Sequence, residues 1–205
     1  QRMLDKIESE RLLTPTAIVG ILPARGEGDD IVVGQKRLAQ LRNQSAEAEA
    51  NYSLADWVCP EGDWIGAFAI SAGVGLEALE SDYRKAGDDY SAVMAKLLAD
   101  RLTEALAEVV HSRVRRTLWG YESGAELSRE EIIDGKYQGL RMAFGYPACP
   151  DHSLKREVFD LLGVEQKSPL RLTENYMINP GESLCGLMFA DAEMEYFSVG
   201  RISTE

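Results

Sequence analysis

Residues 88–116 read DDYSAVMAKLLADRLTEALAEVVHSRVRR, a stretch that contains neither proline nor glycine. Apolar side chains recur in it mostly at spacings of three and four, which predicts one long amphipathic helix from about Asp88 to Arg116. Arginines crowd its last turns, where cations offset the partial negative charge of a helix C-terminus. The expected apolar positions are Tyr90, Val93, Met94, Leu97, Leu98, Leu102, Leu106, Val109 and Val110.

Two buried strands are predicted before this helix. Residues 17–22 (AIVGIL) form an apolar, β-branched run that Pro23 should end, and residues 64–70 (WIGAFAI) form another. Residues 25–30 have turn composition, so the apolar triplet at 31–33 can pair back onto the first strand.

Shorter elements are predicted after the long helix. Ser128 and Glu131 form a capping box that opens a helix through Ile133. A further helix should run from about Asp151, its expected cap, to Leu162, and strands are expected near 183–189 and 195–202. Strands at both ends with helices grouped between them indicate an α+β fold with a mainly antiparallel sheet. We read residues 1–205 as one domain.

Composition excludes some classes of function. The formal net charge of the chain is −12, which argues against the basic surface that nucleic acids require, so no nucleic-acid partner is expected. No run approaches the roughly 18 apolar residues that span a bilayer, so no membrane partner is expected. The three cysteines are odd in number and widely spaced, which favours a reducing, cytoplasmic setting over a disulfide framework.

Residues 73–78 (GVGLEA) fit a loose dinucleotide-binding pattern, since they follow a strand and precede a helix. A Rossmann unit would need a second strand within about 30 residues, whereas helical pattern continues here to about residue 116. A glycine-rich turn between strand and helix is the better interpretation. His111 and His152 lack Cys or His neighbours at ligand spacing, so no metal site is predicted.

Asp100, Glu104 and Glu108 stand four residues apart on one line of the long helix. Their repulsion costs a few tenths of a kcal/mol per pair, which a solvated face with a neighbour such as Arg101 can relieve. The alternative is that an ammonium group binds among them. Spacing alone favours the solvated face.

The densest local signal is RMAFGYPACPDH at residues 141–152. Its two prolines stiffen the backbone, and Gly145 permits a positive φ angle. Arg141 can hold a carboxylate through two parallel hydrogen bonds, and Tyr146 offers an aromatic face and a hydroxyl. A rigid loop leading into a helix explains the residues equally well. Cys149 has no histidine partner that would make it a nucleophile.

This stretch resembles the activation domain of cobalamin-dependent methionine synthase, whose signature is Arg-x-x-x-Gly-Tyr-Pro-Ala-Cys-Pro. The likeness extends from Met3 to about Ile202. Further matches follow in order at residues 51–56 (NYSLAD), 65–69 (IGAFA), 99–102 (ADRL), 104–105 (EA), 118–121 (LWGY) and 172–175 (LTEN).

The resemblance implies a C-shaped α+β domain that binds S-adenosylmethionine in a shallow groove. Arg141 would meet the ligand carboxylate and Glu104 its ammonium group. The backbone around Ala143 and Gly145 would line the adenosyl end. Asp100 would face the domain that carries cobalamin. Two tyrosines would also contact the ligand: Tyr146 and, in the final strand, Tyr196.

The implied function is to supply the methyl group for reductive reactivation of cob(II)alamin, with a flavodoxin-like protein as electron donor. No residue of this chain would act as acid, base or nucleophile, and the chain alone should not turn over. A free-standing activase for another corrinoid methyltransferase and a docking or sensing module without ligand remain alternatives. Against the family pattern, an aspartate of an upstream Asp-Trp motif and the usual closing helix have no counterpart here.

Overall fold

The structure, a computed structural model, describes residues 2–45 and 50–200. Its helices are α1 (Arg2–Ser9), α2 (Leu76–Lys85), α3 (Asp89–Arg113), α4 (Arg129–Ile133), α5 (Leu154–Leu162) and α6 (Val164–Lys167). Its strands are β1 (Thr16–Glu27), β2 (Asp30–Val33), β3 (Lys36–Ala39), β4 (Asp63–Ser71), β5 (Leu140–Ala143), β6 (Arg171–Leu172), β7 (Ile178–Asn179) and β8 (Ser183–Phe189). A 3-10 turn (Leu54–Trp57) and a π-helical turn (Val114–Leu118) complete the described elements.

Six strands form one sheet in the order β3-β2-β1-β4-β8-β5, and β6 pairs with β7 apart from it. Every strand pair in the described ranges is antiparallel. The predicted α+β class with a mainly antiparallel sheet is therefore confirmed. The same pairing argues against the Rossmann interpretation, which needs parallel strands. Gly75, in the glycine-rich turn, has φ 99°, and a Cβ there would lie 2.6 Å from the Leu12 carbonyl oxygen.

The sheet is covered on both faces. Successive side chains of its central strand β4 point to opposite sides, so they pack against different layers. Ile65, Ala67 and Ala69 join the larger core, which α5 covers. Phe68 and Ile70 face the other way and pack against α3. The strand is buried from its third residue to its end, which explains its almost continuous apolar sequence.

The large apolar residues predict the buried face of the long helix only in part: Leu98, Leu102 and Leu106 pack against the cores as expected. Tyr90, Val93 and Leu97 are more than half exposed, as is Val109. The buried face consists mostly of small side chains, which let the helix backbone approach α2 and the sheet closely. It comprises Ala92, Ala95, Ala99, Thr103 and Ala107, with Val110 and His111. The helix starts after Asp88 as predicted, but its regular part ends at Arg113 and continues as the π-helical turn.

Element boundaries differ from expectation at both ends of the chain. Pro23 does not end β1, which continues to Glu27 with Pro23 opposite Trp64. Helix α5 begins at Leu154 instead of Asp151, whose carboxylate accepts the Ser153 N–H at 2.7 Å in a local turn. The capping box of Ser128 and Glu131 is confirmed.

The predicted strand at 183–189 is β8, but the strand expected near 195–202 is wrong over residues 195–200, which are irregular. Residues 201–202 lie outside the described part of the chain. The Val199 N–H donates to the Pro147 carbonyl oxygen, which ties this segment to the loop that follows β5. No helix in the described ranges is both long and apolar enough to cross a membrane.

Candidate functional site

A cleft lies between α3 and the segment that begins at β5. It has two adjoining parts of about 240 and 140 Å³, and both are lined by Glu104, Tyr146 and Leu184. All the residues predicted for the site line one part or the other. Asp100 and Gly145 line the larger part, while Arg141, Ala143 and Tyr196 line the smaller one.

Arg141 enters the smaller part from β5, and its side chain is only 18% exposed. Its Nη2 donates to Oε1 of Glu108 at 2.5 Å, while the buried Nη1 has no hydrogen-bond partner among the described residues. Burial alone would lower the pKa of Arg141, but the hydrogen bond and charge of Glu108 raise it above its usual value. A charged donor left unpaired in a buried position is costly, so it suits an incoming anionic group.

Glu104 provides a carboxylate in the same cleft. The Tyr146 hydroxyl donates to its Oε1 at 3.4 Å, a long and therefore weak hydrogen bond. Burial and the charge of Glu104 raise the pKa of Tyr146, so the phenol stays protonated at neutral pH. A carboxylate has about four acceptor positions, so Glu104 retains capacity for a cation. The cleft thus combines a cationic donor with an anionic acceptor.

Gly145 shapes the loop that follows β5 and carries Tyr146. Its φ is 97°, and a Cβ there would lie 2.5 Å from Cε1 of His152. The loop closes on itself, since the Gly145 N–H donates to the Cys149 carbonyl oxygen at 2.8 Å and the Cys149 N–H donates to that of Tyr146 at 2.9 Å. This tight turn holds the Tyr146 ring at the cleft.

Comparison with known proteins gives the family. The model of the vitamin B12 dependent methionine synthase activation domain matches residues 1–205. The chain belongs to that family. The resemblance found in the sequence is therefore confirmed.

A solved structure of the MetH reactivation domain bound to AdoHcy is similar to this activation domain, with a TM-score of 0.93 and 42% sequence identity. The match covers 98% of this chain and 66% of that chain, so the activation domain described here spans just under two thirds of that relative.

The cleft is also lined by residues that the sequence did not predict for the site, and Thr103, His152 and Lys155 are among them. Lys155 is 6% exposed, and its Nζ lies 2.6 Å from Nδ1 of His152. Burial lowers the pKa of both side chains. His152 could have been predicted, because it is the last residue of the signature stretch. Lys155 lies outside that stretch and reaches the cleft from α5, which the sequence does not show.

Asp100 and Tyr196 lie at the open side of the cleft. The Asp100 side chain is 56% exposed, and its only ion pair among the described residues is a long one of 3.9 Å with Arg101. Tyr196 is 56% exposed and lies in the irregular segment before Gly200, not in a strand. Both are accessible from outside the domain.

A buried polar cluster lies behind Arg141. Arg115 is 1% exposed, and its Nε donates to Glu122 at 3.0 Å. The Arg115 guanidinium also lies over the Tyr137 ring, 4.2 Å from its centroid. Its Nη1 is 3.3 Å from Nδ1 of His111, whose pKa is lowered to about 3 by burial and by the charges of Arg115 and Arg141. His111 is therefore neutral.

The cysteines of the activation domain are free thiols. Burial raises the pKa of Cys149 to about 12, so it is protonated at neutral pH. Its thiol donates to Oε1 of Gln40 at 3.3 Å. A thiol in this state is a poor nucleophile, because the thiolate is the reactive form. In residues 2–45 and 50–200 no group of His, Cys, Asp and Glu has the arrangement of a metal site.

Proposed function

We propose that this chain binds S-adenosylmethionine in the cleft and presents its methyl group for the reductive reactivation of cobalamin held by another domain of methionine synthase. The observation that carries the proposal is a single cleft lined by both Arg141, with its unpaired Nη1, and Glu104. The amino-acid end of S-adenosylmethionine carries a carboxylate and an ammonium group, which need partners of these two signs. The relative that was crystallised with AdoHcy supports the same ligand class.

The residues present fit such a ligand by charge. Arg141 would bind the carboxylate, which relieves its unpaired donor, and Glu104 would bind the ammonium group. Tyr146 and the backbone at Ala143 and Gly145 would line the adenosyl end.

When bound, the sulfonium supplies an electrophilic methyl group and the corrinoid of the partner domain supplies the nucleophile. The residues of this chain therefore only bind and orient, which is a contribution of positioning. Asp100, exposed at the cleft, would face the cobalamin domain. A flavodoxin-like electron donor and a cytoplasmic setting complete the proposal, and turnover by this chain alone is not expected.

Calorimetric titration with S-adenosylmethionine and with AdoHcy tests the proposal. We expect both to bind, and Arg141→Ala to weaken binding by up to about 100-fold, because a hydrogen bond between charged groups contributes up to about 3 kcal/mol. Arg25→Ala is the matched control, since Arg25 forms an exposed ion pair with Glu27 in β1. A Kd of about 1 mM corresponds to a binding free energy of only about 4 kcal/mol. If the wild-type chain gives no heat of binding up to about millimolar ligand, the docking module without ligand is favoured.

A second assay separates methionine synthase from another corrinoid methyltransferase. The chain is mixed with the cobalamin domain of methionine synthase, S-adenosylmethionine and a flavodoxin-type reductant, and the absorbance of the corrinoid is followed. We expect formation of methylcobalamin. Methylation that occurs only with a different corrinoid protein would favour the free-standing activase.

A further inference from the structure

Glu108 holds Arg141 by one contact only. Its Oε1 accepts from Nη2 at 2.5 Å, while Glu108 Oε2 and Arg141 Nη1 are both buried and have no hydrogen-bond partner in the described part of the chain. A carboxylate that fully engaged the guanidinium would use two nitrogens in parallel. The single contact therefore fixes one end of the guanidinium and leaves Nη1 without a hydrogen-bond partner among the described residues.

Glu108 contacts Arg141 but does not line the cleft. Arg141 lines the smaller part of the cleft with Glu104, Tyr146 and Tyr196. Glu108 is absent from the described lining of both parts, and instead lines a separate open groove with Ser112, Arg113 and Arg116. Glu108 thus contacts the guanidinium without itself lining either part of the cleft.

From this geometry we infer that Glu108 is a positioning residue that holds Arg141 at the cleft with its Nη1 unpaired, so that this nitrogen can bind the carboxylate of the ligand. The inference rests on the proposed function and deepens it, since it concerns how the same site recognises its ligand. Glu108 is not a ligand contact: it acts through Arg141. It also supplies a counter-charge for a guanidinium that is 18% exposed.

The inference explains why the acidic line on α3 continues beyond Glu104. Positions four residues apart lie about 6 Å apart along a helix, so two carboxylates on one line can serve different partners. Glu104 has the Tyr146 hydroxyl and spare acceptor capacity, while Glu108 has the arginine. One carboxylate is thus offered to the ligand and the next supports the cation.

The test measures binding of two ligands, AdoHcy and decarboxylated S-adenosylmethionine, to the wild-type chain and to Glu108→Ala. We expect Glu108→Ala to weaken AdoHcy binding by about tenfold, the upper range of the cost of immobilising one flexible side chain. Binding of the decarboxylated ligand should not change, because it makes no use of Arg141. Glu108→Gln should recover part of the loss, since its amide oxygen can still accept from Nη2.

Glu157→Ala is the matched control. Glu157 is exposed to a similar extent, 32% against 36% for Glu108, and forms an ion pair with Lys36 at 2.7 Å. It should leave both affinities unchanged, and thermal unfolding should show that each variant is folded.

Three results would overturn the inference alone while the wild-type chain binds. Tighter AdoHcy binding by Glu108→Ala would mean that Glu108 competes with the ligand. Equal weakening for both ligands would indicate a general structural role, and unchanged affinity would indicate none. A wild-type chain that binds neither ligand would overturn the proposed function as well, so the two failures are distinguishable.

Discussion

The burial of His111 makes the stability of this domain depend on pH in a specific window. The side chain is fully buried and is faced by Arg115, Arg141, Tyr121 and Tyr137. Burial first, and then the two arginine charges, lower its pKa to about 3. An exposed histidine in the unfolded chain titrates near about 6.5.

The sign follows from which state binds the proton first. Between about pH 6.5 and pH 3 the unfolded chain is protonated at this position while the folded chain is not, so acid favours unfolding. The contribution of His111 is therefore fully present above about pH 6.5 and is lost as the pH falls. From pH 7 to pH 5 the loss spans about 1.5 pH units, or about 2 kcal/mol in the free energy of unfolding.

Urea unfolding at pH 7 and pH 5 measures this loss. We expect the wild-type chain to lose about 2 kcal/mol more than His111→Gln over that interval, because glutamine does not titrate. The carboxylates titrate in both proteins, so their contribution cancels in the difference. His152→Gln is the control: His152 is exposed to solvent, so its substitution should change the slope less. Parallel pH dependence of the wild-type chain and His111→Gln would refute the reasoning.

Two further substitutions test the loop and the cluster behind it. Gly145→Ala should weaken AdoHcy binding by about tenfold or more and lower the melting temperature, because φ 97° costs an L residue about 1–3 kcal/mol and its Cβ would meet the His152 ring. Gly28→Ala is the control for backbone strain alone, since Gly28 has φ 62° and open space around it. Equal effects of the two substitutions on binding would contradict the steric argument. Arg115→Met should reduce the free energy of unfolding by about 3–5 kcal/mol, because it leaves Glu122, 12% exposed, without its cation; a loss below about 1 kcal/mol in urea unfolding would show that Glu122 finds another partner.

The sequence predicted the fold class because the strongest patterns belong to the central elements. The apolar run of β4 and the glycine-free stretch of α3 both appear where expected. The large apolar residues of α3 predicted its buried face only in part, because the positions closest to α2 and the sheet are occupied mostly by alanine. Strand β3 was missed for a different reason: its sequence KRLA has a single buried position, Leu38.

The sequence predicted most of the residues of the candidate site but not the contacts between them. The signature stretch and the acidic line gave Arg141 and Glu104, which line the same cleft. Spacing alone could not say that Glu108 contacts Arg141, since all three carboxylates are equivalent along the helix. Nor could it give Lys155, whose position depends on how α5 packs. Whether these residues bind the ligand stays a prediction for the titrations above.

The register of β5 on β8 decides which side chains reach the cleft. Arg141 lies opposite Met188 and Ala143 opposite Gly186, and both Arg141 and Ala143 line the cleft. Met142, between them, points into the larger core. A slip of one residue would exchange these faces, placing a guanidinium in the core and Met142 in the cleft. Gly186 opposes such a shift, because a Cβ there would collide with the Met142 carbonyl oxygen, so no larger residue is accommodated where β5 crosses it. The set of side chains that lines the cleft therefore depends on a strand of four residues and on the glycine that faces it.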